Sequence, residues 1–129
     1  MPTLNEKQAK LLLDPNIAVV ATIRPDGTPH LTPTWVDWDG EHVLINTAEG
    51  RAKPKYLRRD PRVSVLVLDP NDPYNWVSIT GTAELTHEGA EGHINKLSHK
   101  YNGRDYPNPK DPQRILVRIT PERVHSPGL

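Results

Sequence analysis

The 129-residue chain balances sixteen Lys and Arg against sixteen Asp and Glu, which excludes the whole-molecule field that would draw in nucleic acid or an anionic membrane. It contains no cysteine, so disulfides, thiolate nucleophiles and Cys-ligated metal centres are excluded as well. The length suits a single domain over 1–129, and with no Phe in the chain the core falls to Val, Ile and Leu, which favours sheet.

In chain order, Thr3 and Glu6 stand at capping-box spacing, with Leu4, Leu11 and Leu12 at helical intervals. They predict a short amphipathic helix over 4–13 that stops at Asp14-Pro15. From 17-IAVVATIR-24 the texture changes to β-branched runs, and Asp26-Gly27 and Asp39-Gly40 are hairpin turns flanked by strand-like sequence. The two hairpins read as a three-stranded meander.

The segment 63-VSVLVL-68 is apolar on nearly both faces and suits a strand covered on two sides, by a helix or by a second subunit. In contrast, 77-VSITGTAELT-86 alternates apolar with polar residues, the pattern of a strand with one wet side. A helix over 88–101 carries Ala90, Ile94, Leu97 and Tyr101 on one stripe, and 114-RILVRIT-120 is a last strand. Between them 102-NGRDYPNPKDP-112 is a long loop, and five Asp-Pro pairs mark where elements end. The expectation is a mainly β (α+β) fold, a small antiparallel barrel with peripheral helices. The longest apolar runs are far below membrane-spanning length, and 1-MPTLNEKQAK-10 has no signal-peptide character, so the expected location is cytoplasmic.

The charge is not evenly spread. Residues 51-RAKPKYLRRDPR-62 hold six basic residues against Asp60, a local +5 that leaves −5 for the rest of the chain. Pro54 is tolerable only near a helix start and Asp60-Pro61 marks a stop, which makes this a short helix. Arg58, Arg59 and Arg62 sit at its C-terminal end, where the helix dipole favours cations. Arg51, Lys53 and Lys55 crowd the N-terminal end, where the dipole disfavours them unless an anion sits opposite. The run is either a solvated helix face or, in its first half, a phosphate or polycarboxylate site to which Thr47 adds a hydroxyl. With Tyr56 as its one aromatic residue, it lacks the interleaved rings of a single-strand nucleic-acid surface.

His87, His93 and His99 recur every six residues, a rotation of about 240° on a helix, so they do not converge on a metal and read as surface residues. Trp35, Trp38 and Trp76 are packing residues, or in the case of Trp76 the wall of a pocket for a flat ring. No nucleophile triad or paired carboxylate is present, so in an enzyme a bound cofactor would carry the chemistry.

The ordered series 17-IAVVATIRPDGTPHLTPTWVDWDG-40, 46-NTAEGRAKPKYLRRDPRVSVLV-67 and 76-WVSITGTAEL-85 resembles the pyridoxamine 5′-phosphate oxidase-like split β-barrel proteins, of the FMN-binding split-barrel type, and best their branch that uses the deazaflavin coenzyme F420. The resemblance implies a homodimer with two cofactor sites, each built from both chains, and a small-molecule substrate. It matches Arg51 and Lys53 to the cofactor phosphate, with Asn46, Thr47 and Ala52 lining the same cleft and Thr34 and Trp35 beside the ring. Lys55 would meet a polyglutamate tail, and Asn75 and Trp76 would come from the partner subunit. The implied activity is hydride transfer from reduced F420 to an electron-poor C=C, C=N or quinone-like acceptor. An FMN-dependent oxidase or reductase, and a non-catalytic cofactor- or haem-binding protein, are the alternatives on the same fold.

Overall fold

The computed structural model describes residues 2–127. Three helices and seven strands follow one another as α1 (Glu6–Leu13), β1 (Ala18–Ile23), β2 (Pro29–Thr34), β3 (Asp37–Trp38), β4 (Val43–Ala48), α2 (Ala52–Arg59), β5 (Arg62–Asp69), β6 (Asp72–Thr86), α3 (Ala90–Asn102) and β7 (Arg114–His125). The strands form one curled antiparallel sheet in the order β2-β1-β5-β6-β7-β4-β3, the architecture of a split β-barrel. Its interior is filled by β-branched side chains, among them Val20, Val43, Ile45, Val65, Val67, Ile79, Ile115 and Ile119, together with Leu12 and Leu57 from the helices. No helix among the described residues is long and apolar enough to cross a membrane.

The N-terminal helix begins at Glu6, two residues later than the 4–13 its leucine spacing suggests. Asn5, not Thr3, is the cap: its side chain accepts the Gln8 N–H at 2.9 Å, and the Gln8 side chain accepts the Asn5 N–H at 2.9 Å. The two hairpins form at Asp26-Gly27 and Asp39-Gly40, but they do not join into a meander. β2 lies at one edge of the sheet and β3 at the other. The cause is Val36, which is fully buried between the hairpins. Its N–H donates to the Tyr101 hydroxyl at 3.1 Å, and its carbonyl accepts from Lys100 Nζ at 2.7 Å. With both backbone groups bound by α3, no ladder can pass through this point.

β5 buries Val63, Val65 and Val67 inside the barrel, whereas Leu66 on the opposite face is 37% exposed. Among the described residues no helix lines the groove on that face, which is formed by Leu66, Leu68, Pro73, Trp76, Ser78 and His125. Asp72-Pro73 opens β6 rather than closing an element, a position where the missing proline N–H costs no ladder bond.

β6 is the longest strand and pairs with β5 and β7 along its length, with a register shift at Thr80/Gly81. Gly81 permits this. A Cβ there would lie 2.0 Å from the Thr120 carbonyl oxygen of β7, so only glycine lets the two backbones approach. We expect Gly81→Ala to destabilise the fold by about 1–3 kcal/mol, the usual cost of overpacking, read as a lower urea midpoint at unchanged slope.

Candidate functional site

β4 and β7 pair with Asn46 opposite Leu116 and Ala48 opposite Arg114. Side chains alternate along each strand, so Leu44, Asn46, Arg114 and Leu116 share one face. α3 packs on that face through Ala90, while Ile45, Thr47, Ile115 and Val117 belong to the opposite, barrel-interior side. Where the α3 cover ends, a cleft of about 420 Å³ opens, lined by Ile17, Pro33, Thr34, Trp35, Asn46, Arg51, Ile94, Leu97, Tyr106 and Arg114. Trp35 stacks on Tyr101 at 5.2 Å and meets the edge of Tyr106 at 6.5 Å. The cleft therefore has a fixed aromatic wall and a cationic end.

A buried polar chain underlies it. The Asn46 side-chain amide donates to the Ala90 carbonyl at 2.9 Å and to His93 Nδ1 at 3.1 Å, and its carbonyl accepts from Arg114 Nε at 2.9 Å. Accepting at Nδ1 leaves the His93 proton on Nε2, which lies 4.0 Å from Asp37 Oδ2. Lys96 reaches the same carboxylate oxygen at 3.1 Å. Burial pushes the His93 pKa down to about 4; Asp37 opposes the shift, and Lys96, Lys100 and Arg118 reinforce it. The imidazole is neutral and orients Asn46, which in turn orients Arg114.

The N-terminal end of α2 is the second charged feature. Arg51 is its N-cap and makes no side-chain capping bond, and the first turn holds no acidic residue. Arg51, Lys53 and Lys55 have no carboxylate partner among the described residues. Burial, with Arg51 adding to it, lowers the Lys53 pKa. The C-terminal half of the segment is satisfied. Arg58 grips Glu49 with two bonds of 2.8 and 2.7 Å, Arg62 pairs with Asp60 at 2.7 Å, and Arg59 donates to the Pro25 carbonyl at 3.2 Å. Glu49 also meets His87 at 2.6 Å, and Arg58 first and His87 second hold its carboxyl down to about 2.

Of the residues singled out from the sequence, Thr34, Trp35, Asn46 and Arg51 meet in the cleft. Lys53 is half-buried in the first turn of α2, with Ala52 and Lys55 exposed beside it. Thr47 is buried on the barrel-interior face, and among the described residues its hydroxyl has no partner. Asn75 and Trp76 lie elsewhere in the chain: Asn75 lines a cavity of about 670 Å³ with Lys10 and Asp14, and Trp76 a groove of about 420 Å³ with Leu66, Leu68, Pro73, Ser78 and His125.

Three participants went unnoticed in the sequence. His93 is only 9% exposed and is not a surface residue. Its position three after Ala90 and four before Leu97, at the edge of the apolar stripe, was the available signal. Arg114 carried a weaker one, as a cation heading the run Ile-Leu-Val. Tyr106 lies in an irregular loop and gave none.

The sequence profile of the family described as "Pyridoxamine 5'-phosphate oxidase" matches residues 4–126. The chain belongs to that oxidoreductase family. Among solved structures, it is similar to an "F420 Reductase" with a TM-score of 0.84 and 27% identity, covering 95% of this chain and 98% of that one. It is also similar to a conserved hypothetical protein from Mycobacterium tuberculosis, with a TM-score of 0.73, 29% identity and coverage of 95% and 83%. HupZ of Group A Streptococcus shares the fold at a TM-score of 0.72 and 21% identity, with coverage of 95% and 92%.

The neutral His93 makes acid stability a test of the buried chain. Unfolded, it titrates near 6.5 and folded at about 4, so the unfolded state binds the proton first. Stability is complete above the upper value and is lost as pH falls towards the lower one, by on the order of 3 kcal/mol. Urea unfolding at about pH 7 and about pH 4 should show wild type losing more stability than His93→Gln. Equal losses would mean that the folded imidazole titrates normally.

Proposed function

We propose that the chain is a coenzyme F420-dependent oxidoreductase. The observation that carries this reading is the set of cations without carboxylate partners, Arg51 and Lys53, at a helix N-terminus beside an aromatic-walled cleft. Two like charges that raise each other's energy there are relieved by an anion, and a phosphate also accepts from the free N–H groups of the first turn. The similarity to the F420 reductase supports the deazaflavin over FMN.

In this reading Arg51 and Lys53 hold the cofactor phosphate, with Asn46 and Ala52 beside them and Lys55 meeting an acidic tail, while Thr47 adjoins the site through its backbone alone, its side chain lying on the barrel-interior face. Thr34 and Trp35 border the ring. When bound, the reduced deazaflavin supplies a hydride to an electron-poor C=C, C=N or quinone-like acceptor. The chain's contribution is orientation and exclusion of water: Trp35 is held by its stack on Tyr101, and Ile94 and Leu97 form an apolar floor. Solvent or a nearby polar group supplies any proton.

The description of the family favours a second reading, an FMN-dependent oxidase or reductase, because the same cations suit a flavin phosphate. Titration of the purified chain with oxidised F420 and, separately, with FMN distinguishes them. Arg51→Ala and Lys53→Ala should each weaken binding of the preferred cofactor by about 1.5–3 kcal/mol, while Arg59→Ala has little effect. Equal losses at all three positions would remove the division of the basic segment. Binding of neither cofactor would leave a non-catalytic binding protein as the better account.

We also propose a homodimer. Leu66 at 37% exposure, with Leu68, Pro73 and Trp76 around the same groove, leaves apolar surface on the open side of β5 and β6. A second copy would cover it and bring its Asn75 and Trp76 towards the cleft. Light scattering at micromolar concentration should give twice the chain mass, and Leu66→Glu should halve it. A monomeric wild type would remove the shared site.

A further inference from the structure

Arg114 is a buried charge without a counterion. It is 3% exposed, and among the described residues no carboxylate pairs with it. Its partners are neutral: Asn46 Oδ1 accepts from Nε at 2.9 Å, and the Tyr106 hydroxyl lies 3.4 Å from Nη1. The guanidinium also lies 5.1 Å from the Tyr106 ring centroid. Among the described residues Nη2 has no acceptor. Burial and the nearby charge of Arg51 both disfavour the cation, yet the Asn46–His93 chain fixes it at the wall of the cleft. A buried cation left unpaired in this way is costly, and a ligand that brings the missing anion relieves the cost.

We propose that Arg114 anchors a ligand with a carboxylate on a flat conjugated body, the acceptor substrate in the reading given above. Two features select that chemistry. The guanidinium presents a planar fork whose two N–H donors match the two oxygens of a carboxylate, and Asn46 and Tyr106 hold its orientation. Around it the cleft is apolar and aromatic, with Trp35, Ile94, Leu97 and Tyr106 suited to the faces of a planar group. A phosphate needs more donors than the single guanidinium fork of Arg114 offers, whereas the start of α2 gathers Arg51, at the edge of the same cleft, with Lys53 and the N–H groups that a helix N-terminus leaves without helical partners. The two anion sites thus differ in kind: one for a tetrahedral oxyanion at the helix, one for a planar carboxylate at the strand.

The naming of a substrate rests on the oxidoreductase reading, but the binding site is tested without cofactor. The full-length chain is titrated with benzoate, benzamide and inorganic phosphate while the Arg114 Nε–H and Trp35 indole resonances are followed by NMR. In wild type, benzoate should shift both resonances saturably and bind at least about tenfold more tightly than benzamide. Phosphate should leave Arg114 unmoved. Arg114→Met should weaken benzoate by about 10- to 100-fold, the loss expected for hydrogen bonds to a charged group. Arg114→Lys, which keeps the charge and loses the fork, should recover only part of that.

Benzoate and benzamide binding alike to wild type would overturn the proposal, whatever the variants do. So would phosphate outcompeting benzoate at Arg114, or benzoate binding that survives Arg114→Met and is lost in Arg51→Ala. Should neither F420 nor FMN bind, the cofactor reading fails alone, because the benzoate result is independent of it.

Discussion

Everything about the site depends on how the backbone of Val36 is bound. Tyr101 and Lys100 of α3 take its N–H and its carbonyl, so the chain cannot continue its ladder after β2 and instead crosses to the far edge of the sheet. Lys100 also donates to the carbonyl of Leu12 in α1, and the Tyr101 hydroxyl to that of Asn16. One turn of α3 thereby ties together the first helix, the approach to β1 and the crossing segment. Trp35, next to Val36, is left outside any strand and stacked on Tyr101, where it becomes a wall of the cleft. The hairpins supply the strands; α3 decides where they go.

The same economy governs charge. Glu49 sits one residue before the Gly50 turn and takes both Arg58 and His87, and Asp60 takes Arg62. The acids near the basic segment are thus committed to its C-terminal half. That leaves Arg51 and Lys53 unneutralised at the one place where the helix dipole also repels them. An electrically neutral chain can present a concentrated positive site because its compensating acids are tied up on the other side of one short helix.

What could be read from the sequence followed the range of the forces involved. The strand texture, the hairpin turns, the stripe of α3 and the split of the basic segment are local, set by side-chain alternation, turn residues and the helix dipole. The edge crossing was not legible, because nothing within Thr34-Trp35-Val36 announces a lysine and a tyrosine more than sixty positions away. The capping box shows the same limit on a smaller scale: Thr3/Glu6 and Asn5/Gln8 both satisfy the spacing, and spacing alone does not select the Asn5/Gln8 pair that forms. The six-residue spacing of His87, His93 and His99 bears only on whether histidines converge on one another. Here one histidine converges on an asparagine of a different element.

The use of neutral groups around Arg114 has a consequence of its own. Had a carboxylate stood where Asn46 stands, the guanidinium would be paired and the wall of the cleft electrically closed. An amide can hold Nε without cancelling the charge, but an amide alone is free to flip. The Ala90 carbonyl and His93 Nδ1 both require its nitrogen on their side, which forces its oxygen towards Arg114. This works only while the imidazole is neutral, since a protonated Nδ1 would turn from acceptor to donor against the amide nitrogen. The burial that lowers the His93 pKa is therefore what keeps Asn46 in one orientation and the charge of Arg114 available to the cleft.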